Sequence, residues 1–350
     1  MATTTTDPCE CLKIGVSNHR RVDRRHVRGW RHLVPAGLIG AIVAGGVVYE
    51  HRVLARLDAT PDPDLGNGFA FPTERIRAIA TPDGGMLHAE ECGSGRPVVL
   101  LHGLGGNLGI FAPLAPRLVT GGRRVVAVDQ RGFGRSSAVP VAFGFDGLVD
   151  DLATVLGVLD LRGAIVVGHS MGGAVALGLA VERPDVVADR VSALVLINSS
   201  ARGPADGPLT RVKAAVLDWQ VTERVGRHHR HGLVFARANF GIAPRRSHVE
   251  AVRAVGFASP AARRIGLTRR LLGIDLSDRL GDVHVPLLLL AGTADRVLPA
   301  RESMRIAEAV GDARLHLFQG AGHMLPVERS KEVAELVLRL ADDVDAAQSG

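Results

Sequence analysis

The sequence predicts an α/β fold built on a mostly parallel sheet. Three observations carry that expectation. Short apolar runs alternate with helix-like stretches from Pro97 onward. The runs Ala164–Val167, Val191–Ile197 and Val285–Leu290 are apolar throughout, as strands covered on both faces are. Finally, Gly168-His169-Ser170-Met171-Gly172-Gly173 joins one such run directly to the helix-like Ala174–Val181. Taking the elements in order, Ile76–Ile79 and Met86–Glu90 flank Pro82-Asp83-Gly84-Gly85 and read as a hairpin. Pro97–Leu101 and Val125–Val128 are the next strands, and Arg314–Phe318 is the last, before a helix at Val327–Leu340.

The glycine-rich turn is G-x-S-x-G between a strand and a helix, the context of a nucleophile elbow. Its glycines let strand and helix pass where a Cβ would clash. Ser170 is then exposed at the carboxyl edge of the sheet, and the backbone N–H of Met171 faces any oxyanion formed there.

A serine needs a base, and the base needs an orienting acid. Val285–Leu290 ends in Ala291-Gly292-Thr293-Ala294-Asp295, which places Asp295 in the loop after a strand, where open α/β sheets keep their sites. Arg314–Phe318 is followed by Gly320-Ala321-Gly322-His323, which places His323 in a second such loop. Asp312 and His316 are the nearest competitors, and His316 falls inside a strand. The expected catalytic set is Ser170, Asp295 and His323.

With these segments the chain resembles the α/β-hydrolase superfamily from about Ile76 to Leu340. The elbow, the Gly292–Asp295 and Gly322-His323 loops, His102-Gly103-Leu104-Gly105-Gly106, and Asp129-Gln130-Arg131-Gly132-Phe133-Gly134-Arg135-Ser136 carry the likeness. The resemblance implies an eight-stranded, mostly parallel sheet flanked by helices, with a helical cap inserted after the sixth strand. It implies a second oxyanion donor, the N–H of Leu104, beside that of Met171. His102, Gly103 and His169 are expected to border the substrate. The Asp129–Ser136 turn is expected to pin loops rather than react.

Serine at the elbow, rather than aspartate, favours acyl transfer over the alkyl-ester chemistry of related epoxide hydrolases and dehalogenases. No dinucleotide fingerprint follows a strand, and no metal is expected; His228-His229-Arg230-His231 reads as a solvated face of the cap. No cofactor is expected. The implied activity is hydrolysis of carboxylic esters, lipid-like ones such as monoacylglycerols, lysolipids or short-chain esters. A C–C bond hydrolase, enol-lactonase or cofactor-free perhydrolase is the alternative on the same fold.

Leu33–Tyr49 is an uncharged run of 17 residues, at the short end for a spanning helix. Trp30 and Tyr49 flank it, and seven basic residues from Lys13 to Arg31 precede it. This pattern predicts a single-pass anchor with a cytoplasmic leader and an extracytoplasmic catalytic domain, or a secreted protein if the segment is cleaved. The same leader accounts for much of the surplus of 42 Lys and Arg over 36 Asp and Glu. A nucleic-acid partner is therefore not expected, and a single Tyr and two Trp leave no stacking platform. Cys92 is the one cysteine beyond the leader, so no disulfide is expected in the body.

The expected organisation is a leader at 1–32, the anchor at 33–49, a linker at 50–73, the hydrolase core at 74–201 and 283–345, and the cap at 202–282. Within the cap, Leu209, Val212, Val216 and Trp219 share a helical face. Ser247 and Glu250 form a capping-box pattern.

Overall fold

The computed structural model describes residues 36–65, 69–138, 143–203, 228–258, 266–267 and 274–349. The chain separates into Met1–Val48 and Tyr49–Gly350. The second unit is built on one eight-stranded sheet in the order β1-β2-β4-β3-β5-β6-β7-β8. The strands are β1 (Arg75–Ala80), β2 (Met86–Cys92), β3 (Pro97–Leu101), β4 (Arg124–Asp129), β5 (Ala164–His169), β6 (Val191–Ile197), β7 (Leu287–Gly292) and β8 (Arg314–Phe318). Only β2 runs against its neighbours, pairing antiparallel with β1 and β4. The expected hairpin is the β1–β2 pair.

The continuous apolar runs form the middle of the sheet because both faces are covered. Side chains alternate between faces along a strand. Leu287 and Leu289 join one core cluster, while Leu288 and Leu290 join the other. Val166 and Val167 of β5 divide in the same way. The first cluster is closed by α3 (Phe145–Val158) and α4 (Met171–Glu182), through Leu148, Leu152 and Val175. The second is closed partly by α2 (Ala115–Thr120) and by α10 (Ser330–Ser349), through Leu118, Val333 and Val337. Helix α5 (Pro184–Arg190) leads into β6, and α8 (Arg301–Val310) lies between β7 and β8.

The insertion after β6 holds α6 (His229–Arg237) and α7 (Arg246–Ala258). The proposed stripe Leu209–Trp219 lies outside the described residues. Ser247 is not part of a capping box. Its N–H and hydroxyl both bond Asp62, at 2.6 and 2.8 Å, and Glu250 pairs with Arg246 at 3.0 Å. The start of α7 thus takes its capping carboxylate from a distant segment, which satisfies a first-turn donor as a local cap would.

The N-terminal expectation is corrected. Helix α1 spans Ala36–Ala59 and does not stop at Tyr49; it continues through Glu50, His51, Arg52, Arg56 and Asp58. Among the described residues no helix is long and apolar enough to cross a membrane. The uncharged stretch is only the first part of this helix, and Val53 and Leu57 of its second part are buried in the core rather than available to lipid. The single-pass anchor and the extracytoplasmic placement built on it are withdrawn. The stretch read as a linker from Glu50 is helical to Ala59, then runs across the cap. Glu50 pairs with Arg230 and His231, Asp58 with Arg246, and Asp64 with Arg245. The His228–His231 tract is therefore an ion-paired surface. Cys92 is buried and free, and burial pushes its thiol up to about 11.

Candidate active site

Ser170 stands between β5 and α4 at φ +53°, ψ −117°. A non-glycine residue held in such a region costs roughly 1–3 kcal/mol and persists only where its surroundings over-determine it. Two glycines supply the necessary closeness. A Cβ on Gly168 would lie 2.3 Å from the carbonyl oxygen of Gly172, and one on Gly172 would lie 2.2 Å from that of Leu101. The Ser170 N–H donates to Ile197 O at 2.9 Å, tying the turn to β6. Met171 opens α4, so its N–H is among the first-turn donors that a helix cannot satisfy internally.

Gly103 sits directly over the serine; a Cβ there would be 3.0 Å from Ser170 Cβ. Leu104 follows it and is partly exposed at 38%. The His-Gly loop is held from below. The Gln130 N–H donates to His102 Nε2 at 2.9 Å, so Nδ1 carries the hydrogen and donates to Gly103 O at 2.7 Å. Asp129 accepts from the N–H groups of Leu108 and Arg135, both at 2.8 Å. The Asp129–Ser136 turn therefore braces the loop.

Asp295 and His323 meet. Asp295 Oδ1 accepts from the N–H groups of Val297 and Leu298, at 2.7 and 2.9 Å, and Oδ2 lies 2.7 Å from His323 Nδ1. With the carboxylate as acceptor, Nδ1 carries the hydrogen and Nε2 keeps its lone pair, the form a general base requires. Both side chains are buried, at 0% and 8% exposure. The elbow adjoins this pair through its own second residue: the His169 ring packs 4.8 Å from that of His323, and its Nε2 donates to His323 O at 2.9 Å.

His102 and His169 lie beneath the surface of the site. Both are buried, and the hydrogen bonds of both rings go to main-chain groups of the protein itself. Burial drives both pKa values down, His169 to about 3, with the nearby His323 adding to the effect. They stay neutral and hold loops. Gly103 is in place against the serine.

Three supports were not visible in the spacing. Asn198, at the end of β6, bonds both the β7 end and the histidine loop. Asn239 O, in the insertion, accepts the His323 N–H at 2.8 Å. Glu328 accepts from Gly322 N at 3.0 Å and from Gly241 N at 3.2 Å, joining the histidine loop to the insertion. Burial pushes the Glu328 carboxyl up, against the pull of those N–H groups. Glu328 follows His323 closely in a short helix, α9 (Leu325–Glu328), and Asn198 closes an apolar strand. Those positions hint at a role, but apart from Gly322, which lies close to Glu328, the partners are remote in sequence.

Known proteins share this fold. The chain is 29% identical over 269 residues to 2-hydroxy-6-oxo-6-phenylhexa-2,4-dienoate hydrolase of Comamonas testosteroni, covering 72% of this chain and 90% of that one. It is 27% identical over 280 residues to RutD of Rhizobium rhizogenes, assigned by inference as a carbamate hydrolase, covering 72% and 97%. Among solved structures it is similar to an esterase from Exiguobacterium antarcticum, with a TM-score of 0.67 and 25% identity, covering 76% of this chain and 100% of that one. A family profile described as Serine aminopeptidase, S33 matches residues 95–330. The chain belongs to this family of α/β hydrolases and is a hydrolase.

Proposed function

We propose that the chain is a serine hydrolase that cleaves carboxylic esters through an acyl-enzyme on Ser170. The observation that carries this reading is the strained Ser170 turn, set beside a buried Asp295–His323 pair whose Nδ1–H points at the carboxylate. In the first half-reaction Ser170 Oγ attacks the ester carbonyl carbon and His323 Nε2 takes its proton. The N–H groups of Met171 and Leu104 receive the oxyanion. Collapse expels the alcohol, which takes the proton from His323. In the second half a water follows the same path and releases the acid. Asp295 keeps the imidazole oriented and stabilises its protonated form.

The similarity to esterase structures supports an ester substrate. A lipid-like alcohol or acyl group no longer draws support from a membrane anchor, so chain length is an open variable of the proposal. The likeness to the Comamonas hydrolase favours one second reading, cleavage of a C–C bond next to a carbonyl. A panel of p-nitrophenyl esters of rising acyl length, run beside a 2-hydroxy-6-oxo-dienoate, decides between them. Turnover of the esters alone supports the first reading, and turnover of the dienoate alone overturns it.

A further inference from the structure

Asn198 touches both loops of the proposed relay without reaching the reacting atoms. It is 1% exposed and sits at φ +45°, in the left-handed region that asparagine tolerates better than most residues. Its Oδ1 accepts the N–H of Gly292 at 2.8 Å, three residues ahead of Asp295. Its Nδ2 donates to Gly322 O at 2.9 Å and to His323 O at 2.8 Å. Its own N–H donates to Leu290 O at 2.8 Å, fixing the residue to β7.

We propose that Asn198 is a positioning residue that sets the alignment of His323 against Asp295. The proposal rests on reading Ser170, His323 and Asp295 as one relay. The chemistry at this point calls for an amide. One planar group must accept from one loop and donate twice to the other, and asparagine holds both functions in one short side chain. Aspartate would set an oxygen against two carbonyl oxygens. An apolar residue would leave a buried N–H without its acceptor and two buried carbonyls without this donor. The acid leaves the sheet from β7 and the base from the loop after β8, so their separation depends on how those two chain ends are tied. Asn198 bonds both from the end of β6, beside the direct ties Ala294 N–H to Ala321 O at 2.9 Å and Gly320 N–H to Thr293 Oγ1 at 2.9 Å. A displacement of about 1 Å in a catalytic group costs on the order of 10²-fold in rate.

The test uses the full chain with two substitutions. Asn198→Gly removes the side chain and accepts the left-handed backbone freely. Asn198→Asp keeps the shape and the acceptor but loses the donors. Each is measured with p-nitrophenyl butyrate across pH, and with a fluorophosphonate that acylates the reactive serine. The expected result is kcat lower by about 10- to 100-fold with KM within about threefold. Fluorophosphonate labelling should slow by the same factor. The acid limb of kcat/KM should move to lower pH in Asn198→Gly, because a misaligned Asp295 stabilises the imidazolium less. A variant that melts earlier yet keeps wild-type kcat and acid limb well below its Tm overturns the proposal. If one substitution fails to fold, the other decides by the same readouts. Labelling that persists in Ser170→Ala would instead overturn the relay reading itself, and wild-type labelling at Ser170 separates the two failures.

Discussion

The nucleophile elbow and the histidine loop border the same site but differ in what side chains add to their close backbone packing. The elbow is made by missing side chains. Gly168 and Gly172 allow backbone to meet backbone, the second against Leu101 of β3, and Ser170 keeps its strained conformation tied to Ile197 of β6. The histidine loop is held in addition by polar groups, most of them remote in sequence. Asn198 and His169 both donate to His323 O across 125 and 154 positions, Asn239 accepts the His323 N–H, and Glu328 holds Gly322. Close backbone packing fixes the first region; the second shares it, since a Cβ on Gly322 would lie 2.3 Å from Phe240 C, and adds a set of polar contacts. The elbow should thus be intolerant of any added atom, while the histidine loop should share that intolerance at Gly322 and also degrade by steps as polar contacts are removed one at a time.

The largest effects are expected at the elbow. Ser170→Ala should lower kcat on an active ester by up to about 10⁶-fold with the fold intact, measured by initial rates and a melting curve. More than a few per cent of wild-type activity in that variant removes Ser170 as nucleophile. Ser170→Gly should be as inactive but more stable by roughly 1 kcal/mol, because glycine relieves the left-handed strain that an L residue bears. An unchanged Tm would mean that the turn is not strained. Asp295→Asn should cost about 10⁴-fold, through a wrongly oriented or wrongly protonated imidazole. Near-normal rates there would place the orienting acid elsewhere.

The same contrast explains what the sequence disclosed. A turn made by glycines is written in consecutive letters, so Ser170 and its flanking strand and helix are legible without an alignment. The two-faced apolar runs are legible too, since Leu287–Leu290 must feed both core clusters. Asp295 and His323 are singled out by their places after strands, and the structure brings their side chains within 2.7 Å of each other. Asn198 carries no such signal, because its value lies in three partners that chain order does not display. The burial of His102 and His169 was not legible, because a histidine in a motif looks the same whether its ring is exposed or buried. The uncharged run before Glu50 was misread for a related reason. Its length resembles a span, whereas the burial of Val53 and Leu57 against the hydrolase core is a tertiary fact.

Acid should weaken the histidine side in a predictable direction. Burial lowers His169 from 6.5 to about 3, so between those values the unfolded chain binds a proton that the folded chain refuses. Stability is therefore full above about pH 6.5 and is lost as the pH falls toward 3. By pH 5 this group alone should remove about 2 kcal/mol, and His102 shifts in the same direction. Urea melts at pH 7.5 and 5 test this. His169→Gln should flatten the difference by about that amount, and an unchanged slope would mean that the ring is not held neutral.

The smallest expected effect separates the two regions most finely. Glu328 uses its carboxylate to accept from both Gly322 and Gly241, one in the histidine loop and one in the insertion. Glu328→Gln keeps the shape but turns one acceptor into a donor that faces an N–H. A buried donor left unmatched costs about 1–3 kcal/mol, and this site is only partly buried, so the lower end applies. If contacts are removed independently, Glu328→Gln should lower Tm by a few degrees and kcat by severalfold, leaving Ser170 fully reactive toward a fluorophosphonate at saturating time. A double variant with Asn198→Gly measures whether the two supports act on one alignment. Losses that multiply mean that Asn198 and Glu328 brace His323 separately. Losses smaller than the product mean that once the loop is free of one, the other no longer holds it.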